Sequence, residues 1–220
     1  MYEITDKKVL NPTVTKMTVM APAVAKKAKA GQFIILRVTD DGERIPLTIA
    51  GYDRNAGTVD IIFQKVGATT DLLDTVEKGG FISDFVGPLG KPTETDGLRK
   101  VAVVGGGVGC AIALPVAKAL SENGCEVHSI VGFRTKDLVI LEDEFRAVSD
   151  KYLIMTDDGS AGEKGLVTNA LRSLIESGEK YDEVIAIDND DAFAEGKRFA
   201  KAEGVLVGIS AGAALKAAAI

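Results

Sequence analysis

Four apolar residues at 101–104 run straight into Gly105-Gly106-Gly107-Val108-Gly109-Cys110 and then into an alanine-rich helical pattern over 111–120. That order predicts a buried strand, a tight turn and a helix start. Glycine leaves no Cβ between the backbone N–H groups and a ligand, and the first turn of a helix carries partial positive charge, so the segment suits a phosphate. The pyrophosphate of a dinucleotide is the natural guest. A G-x-G-x-x-G fingerprint starting at Gly105 would need glycine where Cys110 stands, and Gly132-Phe133-Arg134-Thr135-Lys136 lacks the acidic ribose ligand expected about twenty positions on. The turn is therefore of another nucleotide-binding type, with a turn that merely packs helix on strand still open.

Three segments of the first half also carry chemistry. Glu43-Arg44-Ile45-Pro46-Leu47-Thr48-Ile49-Ala50 places an arginine just ahead of an expected strand with a hydroxyl four residues later. An arginine fork clamps a pyrophosphate, and Thr48 with nearby backbone groups suits the edge of an isoalloxazine ring. Gln64-Lys65-Val66-Gly67-Ala68-Thr69-Thr70 ends a strand and opens a helix with two capping hydroxyls, a second anion site. Gly87-Pro88-Leu89-Gly90-Lys91-Pro92 closes the half with a rigid turn. Taken singly, each reads equally well as a surface arginine, a helix cap or a linker.

Two kinds of scaffold must position these residues. Up to about residue 88, short alternating runs separated by Gly, Pro, Asp and Asn predict an antiparallel barrel or sandwich, with strands at 3–10, 13–20, 32–38, 47–52, 58–65 and 81–86 and one helix at 69–76. Asp40-Asp41-Gly42 and Arg54-Asn55-Ala56-Gly57 read as hairpin turns whose glycines supply positive φ. The second half alternates strand and helix, as a doubly wound parallel sheet does: strands at 101–104, 126–131, 152–155 and 183–187, helices at 108–122, 138–148 and 166–175. Pro115 is expected to kink the first of these helices. The fold class is thus a β-barrel plus α/β, divided into residues 1–96 and 97–220. Ligand groups in such a sheet gather beyond the C-terminal strand ends, which is where 105–109, 132–134 and Thr156-Asp157-Asp158-Gly159-Ser160 fall.

Composition narrows the function classes. A net charge of −6 and a pI near 5.0 argue against nucleic acid or an anionic membrane as the main partner. Cys110 and Cys125 are too few for a four-ligand metal site, and each is expected to pack as a small apolar residue, with a position facing a nicotinamide open for Cys110. His128, the single histidine, is expected to be structural. With charges at Glu3, Asp6, Lys7 and Lys8 the first ten residues do not resemble a signal peptide, no apolar run reaches spanning length, and a cytoplasmic location is expected.

The ordered set R-x-P-L-T-I, Q-x-V-G-x-T-T, G-P-L-G-K-P and G-G-G-V-G-x-A resembles the ferredoxin reductase-like flavoproteins over residues 1–187. The likeness is to FAD/NAD electron-transfer subunits of the dihydroorotate dehydrogenase, sulfide dehydrogenase and NADH-dependent ferredoxin:NADP oxidoreductase type. The resemblance implies a barrel that carries FAD, with Arg44, Pro46, Leu47, Thr48, Gly67, Thr69 and Thr70 as flavin contacts and Gly87 and Gly90 beside them. It places NAD(P)H against Gly105, Gly106, Gly107, Val108, Gly109 and Cys110. The segment T-D-D-G-S-x-G-x-x-G, with Asp157, Asp158 and Gly159, also fits the family's nicotinamide nucleotide site. Arg134 is placed to meet a ribose or a 2′-phosphate, but Glu142, Asp143 and Glu144 lie close in sequence, so NADH and NADPH both stay open. Hydride transfer between nicotinamide and flavin needs no protein acid or base, so no catalytic side chain is expected. Electrons would pass to an iron–sulfur partner subunit or ferredoxin.

Beyond residue 187 the resemblance changes. The family's four cluster cysteines are absent, so no 2Fe–2S cluster is expected. From about residue 181 the chain instead resembles cysteine synthase, whose G-I-S-A-G-A-A segment would put Ser210 at the pyridine nitrogen of PLP. Neither a Schiff-base lysine motif nor a glycine-rich phosphate loop of that enzyme is present, so the tail is expected to complete the sheet with a strand at 205–209. The chain reads as a chimera. The alternatives are a catalytically silent flavin or nucleotide-binding module and, more remotely, a PLP-dependent fragment.

Overall fold

The computed structural model describes residues 1–187. The chain divides into two compact units, the first spanning Met1–Thr93 and the second beginning at Glu94.

The first unit contains β1 (Tyr2–Asn11), β2 (Val14–Met20), α1 (Pro22–Ala25), β3 (Phe33–Arg37), β4 (Arg44–Asp53), β5 (Thr58–Gln64), α2 (Ala68–Asp74), β6 (Phe81–Ile82) and β7 (Asp84–Leu89). The strands pair antiparallel in the order β6-β1-β2-β5-β4-β3-β7. The two edge strands of that order, β6 and β7, are separated in sequence by Ser83 alone. One residue cannot span a flat seven-stranded sheet, so the sheet must curl until its edges meet. Ser83 marks the seam, its N–H bonding to Arg37 O at 3.0 Å and Val38 O at 3.1 Å. The expected strand 81–86 is thus split in two.

Alternation along the strands supplies the interior. Ile4, Met17, Ile34, Ile49, Phe63 and Phe85 are at most 1% exposed, and Leu73 of α2 joins the same cluster. Each such side chain contributes about 1.5–3 kcal/mol by leaving water. On β4, Ile45, Leu47 and Ile49 belong to this core. Arg44, Pro46 and Thr48 therefore share the opposite face of the strand. Both expected hairpins form, between β3 and β4 and between β4 and β5. Gly57 has the positive φ of 71° its turn requires. Gly42 does not; its space is limited instead, since a Cβ there would lie 2.9 Å from Thr39 Oγ1.

The second unit contains β8 (Lys100–Gly106), a 3-10 turn (Gly107–Gly109), α3 (Cys110–Glu122), β9 (Glu126–Phe133), a second 3-10 turn (Lys136–Leu138), α4 (Glu142–Val148), β10 (Lys151–Thr156), β11 (Glu163–Lys164), α5 (Val167–Glu176) and β12 (Glu183–Ile187). All strand pairs are parallel, in the order β11-β10-β9-β8-β12. The chain moves outward from β8 through β9 and β10, then returns to the other side of β8, which is double winding. Val104 on one face packs with Ile130, Met155 and the α5 residues Ala170 and Leu174. Gly105 faces the other way, toward Cys110 and Ala113 of α3. Helices thus cover both faces, as a parallel sheet requires. The helix passes through Pro115 without a break, and the expected helix 138–148 is a 3-10 turn at Lys136–Leu138 followed by the shorter α4.

At the N-terminal ends of these strands Lys100 pairs with Glu126 at 2.8 Å and Glu179 at 2.5 Å, and Lys151 pairs with Glu179 at 3.0 Å. His128, 3% exposed, lies within this network, with Nε2 3.0 Å from Glu126 Oε1 and Nδ1 2.9 Å from the Tyr181 hydroxyl. That is a structural histidine, as expected. Among the described residues no helix is long and apolar enough to cross a membrane. The expected strand 205–209 and Ser210 lie outside the described residues.

Candidate functional site

The glycine segment occupies the point where the strand order reverses. β8 lies between β9 and β12 with Gly105 opposite Val131 and Ile187, and the turn Gly107–Gly109 leaves its C-terminal end. Chains leaving neighbouring strands in opposite directions open a crevice there, the usual ligand position of a doubly wound sheet. Three of its glycines have distinct physical reasons. Gly107 adopts φ 51°, which L side chains rarely tolerate. A Cβ on Gly105 would press on Cys110 Sγ at 3.1 Å and Ala113 Cβ at 3.3 Å, so its absence lets α3 dock on β8. A Cβ on Gly109 would lie 2.9 Å from Ile187 O, so the turn can rest directly on the end of β12.

Register brings two further segments to the same edge. Gly106 lies opposite Gly132, and Phe133 lies opposite Thr156. The exposed Arg134 and the acidic turn at 157–159 therefore leave the sheet beside the glycine turn. Hydrogen bonds stitch these loops together: Asp157 N–H to Phe133 O at 3.1 Å, and Lys136 N–H to Ser160 Oγ at 2.7 Å. Asp158 Oδ1 accepts from Ser160 Oγ at 2.6 Å and from Ser160 N–H at 2.9 Å. These bonds hold its carboxyl below the ordinary aspartate range, the side-chain bond from Ser160 being the largest influence. Asp158 thus spends its carboxylate on its own turn. Cys110 is fully enclosed, and burial pushes its thiol up to about 12. Its side chain belongs to the α3–β8 contact, which leaves only its backbone to offer a ligand at the strand end. Gly132 needs to be small for Val167, whose Cγ1 would lie 2.6 Å from a Cβ.

In the first unit, Arg44 opens β4 instead of preceding it. It stands directly opposite Arg37 on β3, which stands opposite Asp84 on β7. Two like charges in adjacent strands repel, and Asp84 relieves this by pairing with both: its Oδ2 lies 2.8 Å from Arg37 Nε as an ion pair and accepts a hydrogen bond from Arg44 Nη2 at 3.1 Å. Arg37 also bonds Asp40 O. The Arg44 side chain remains 59% exposed, so its guanidinium is open to solvent beside Asp84. Pro46 and Thr48 are buried on the same face of the strand, and Leu47 belongs to the core.

The segment before Arg44 meets the start of α2, because Thr69 Oγ1 donates to Glu43 Oε2 at 2.9 Å. Thr70 closes the helix cap: its Oγ1 accepts from Val66 N–H at 3.0 Å and Gly67 N–H at 3.1 Å. Gly67 is extended, with nothing within 4 Å of a Cβ position. Gly87-Pro88-Leu89, expected as a turn, instead ends β7 alongside β3, where a Cβ at Gly87 would meet Ile34 Cγ2 at 2.6 Å and one at Gly90, with φ 79°, would meet the Phe33 ring at 2.9 Å. Thr48 and Leu89 flank Phe33 on its two sides.

Glu43, Asp84, Lys136 and Ser160 are the residues that sequence reasoning passed over. Asp84 becomes visible only once β3 is known to lie between β4 and β7. Ser160 stands inside the quoted T-D-D-G-S segment, and its role depends on a backbone donor 24 residues away.

No family model matches the sequence. A dihydroorotate dehydrogenase B (NAD(+)) electron transfer subunit homolog from Thermotoga maritima is 43% identical over 180 residues, covering 82% of this chain and 63% of that protein. An uncharacterized protein of Clostridium beijerinckii is 44% identical over 195 residues, covering 85% of this chain and 66% of its own length. The chain thus spans somewhat less than two thirds of these curated relatives. The solved structure of an NADH-dependent reduced ferredoxin-NADP oxidoreductase, studied for flavin-based electron bifurcation, superposes with a TM-score of 0.79 at 37% identity, over 94% of this chain and 74% of that one. With the curled antiparallel sheet, the doubly wound parallel sheet and the glycine turn at its switch point, these likenesses establish that the chain belongs to the ferredoxin reductase-like family.

Proposed function

We propose that this chain is a flavin-dependent electron-transfer module, taking hydride from NAD(P)H onto FAD and passing electrons to an iron–sulfur subunit or ferredoxin, in the manner of the electron-transfer subunits it resembles. The observation that carries this reading is the arrangement beyond β8: a glycine turn seated on Ile187 O at the sheet's switch point, with Arg134 and the 157–159 turn at the same edge. The residues fit a dinucleotide there. Gly107 has positive φ, Gly109 has no room for a side chain, and Arg134 supplies an exposed cation.

In the first unit the residues fit FAD. Arg44 would offer its fork to the diphosphate, while Thr48, Pro46 and Leu47 with Gly67, Thr69 and Thr70 would border the flavin, and Gly87 and Gly90 let the end of β7 lie close to β3. When bound, the two cofactors supply the hydride donor and acceptor between them. The chain's own part is to bind and orient them, and no acid–base side chain is required. Val108 and the backbone of Cys110 complete the NAD(P)H-binding turn. Among the described residues β12 flanks β8 on the side away from β9. A cytoplasmic setting is consistent with two buried free thiols.

The test is anaerobic. Protein purified with excess FAD is expected to retain a flavin absorbance band, and NADH or NADPH is expected to bleach it. Protein that takes up no FAD overturns the reading.

A further inference from the structure

We infer that Ser160 is a positioning residue for the nicotinamide dinucleotide, acting through the loop that carries Arg134; this rests on the nucleotide-site reading above. The bond pattern has a single direction. Lys136 N–H donates to Ser160 Oγ at 2.7 Å, and the Ser160 hydroxyl spends its one proton on Asp158 Oδ1 at 2.6 Å. Asp158 also takes the Ser160 N–H at 2.9 Å, which fixes the serine backbone. The carboxylate makes the hydroxyl oxygen a better acceptor for Lys136 N–H, because a donated proton polarises the O–H bond.

This chain crosses between loops. Lys136 follows β9 and stands two residues from Arg134, whereas Asp158 and Ser160 follow β10. Arg134 and Lys136 are exposed, and a second tie across the strand ends, Asp157 N–H to Phe133 O at 3.1 Å, lies before Arg134. One bond therefore precedes the arginine and one follows it. Remove the Ser160 hydroxyl and the second is lost, so Arg134 samples positions away from the glycine turn. A ligand then meets a protein whose competent arrangement is only partly populated, which weakens binding without altering the step that follows.

The experiment uses the full chain loaded with FAD, with NADH as the probe, and compares wild type with Ser160→Ala, Ser160→Thr and Ser177→Ala. Ser177 serves as the control because its hydroxyl donates to Leu174 O at 2.7 Å, a bond local to the end of α5. Two readouts are taken: amide hydrogen exchange at Lys136 by NMR, and NADH binding and anaerobic flavin bleaching. Ser160→Ala is expected to release Lys136 from protection and to raise the half-saturating NADH concentration about tenfold, with the limiting rate preserved. Ser160→Thr, which keeps the hydroxyl, is expected to restore both, and Ser177→Ala to change neither. Unchanged Lys136 exchange in Ser160→Ala overturns the hydrogen-bond link. Unchanged half-saturation, or an equal rise in Ser177→Ala, overturns the positioning role while leaving the proposed function intact. Wild-type protein that binds FAD but no NADH overturns both.

Discussion

Gly109 and Ile187 are in a contact that permits no side chain between them: a Cβ on Gly109 would lie 2.9 Å from the Ile187 carbonyl oxygen and 3.4 Å from its Cγ2. The residues are far apart in sequence, and the contact joins the turn after β8 to the end of β12. Gly109 has φ −59°, so alanine is acceptable to the backbone and the obstacle is space alone.

Gly109→Ala is accordingly expected to destabilise the second unit by about 1–3 kcal/mol, through overpacking against an atom that cannot rotate away. Thermal unfolding measures this. Gly67→Ala is the contrast, since Gly67 is extended and has nothing within 4 Å of its Cβ position. Its stability should change by less than about 0.5 kcal/mol. Any loss of FAD affinity in Gly67→Ala would then come from ligand approach.

Arg44→Ala is expected to lower FAD affinity by about tenfold to a hundredfold, as loss of a charge-assisted fork does, and to leave riboflavin binding unchanged because riboflavin has no phosphate. Titration of flavin fluorescence with each ligand separates the two. Stability should barely move, because the Arg44–Asp84 pair is largely exposed and such pairs contribute about 0–1 kcal/mol. Equal loss of both ligands would mean that Arg44 does not meet the diphosphate.

The acid limb of stability should report on Glu179. Hydrogen bonding from Lys100, then from Lys151, holds its carboxyl at about 2, against 4.5 for an unperturbed glutamate. A depressed folded-state value means that the contribution is complete above about pH 4.5 and is lost as pH falls toward 2. Melting temperature measured across that window should fall less steeply in Glu179→Gln than in wild type. Added salt should shrink the difference, since the groups are partly exposed.

The two cysteines should be silent to thiol reagents in the folded protein. Cys110 and Cys125 are buried, and burial raises both thiols, so neither supplies thiolate near neutral pH. Labelling with a chromogenic disulfide at pH 8 is expected to begin only with unfolding. Rapid modification of Cys110 in native protein would contradict its place behind Gly105.

Local pattern was sufficient for much of this chain. The alternation of β2 and β5, the apolar run of β8 and the glycines after it are each dictated by near neighbours, through period-two burial and freedom at positive φ. The motif order also carried the family. Element boundaries were less legible: Arg44 reads as preceding a strand because it is charged, yet pairing with Arg37 and, through it, Asp84 draws it into β4. Gly42 and Gly57 look alike in sequence, and only Gly57 uses positive φ. By itself, then, the sequence determined two kinds of sheet, the glycine turn and the motif order. Tertiary structure decided which of them meet: the return of β12 beside β8 sets Gly109 on Ile187, and parallel register puts Ser160 within reach of Lys136. The physical reason is that hydrogen bonding and excluded volume act over a few ångströms of space, and the partners that come that close are chosen by strand order, which short-range sequence does not encode.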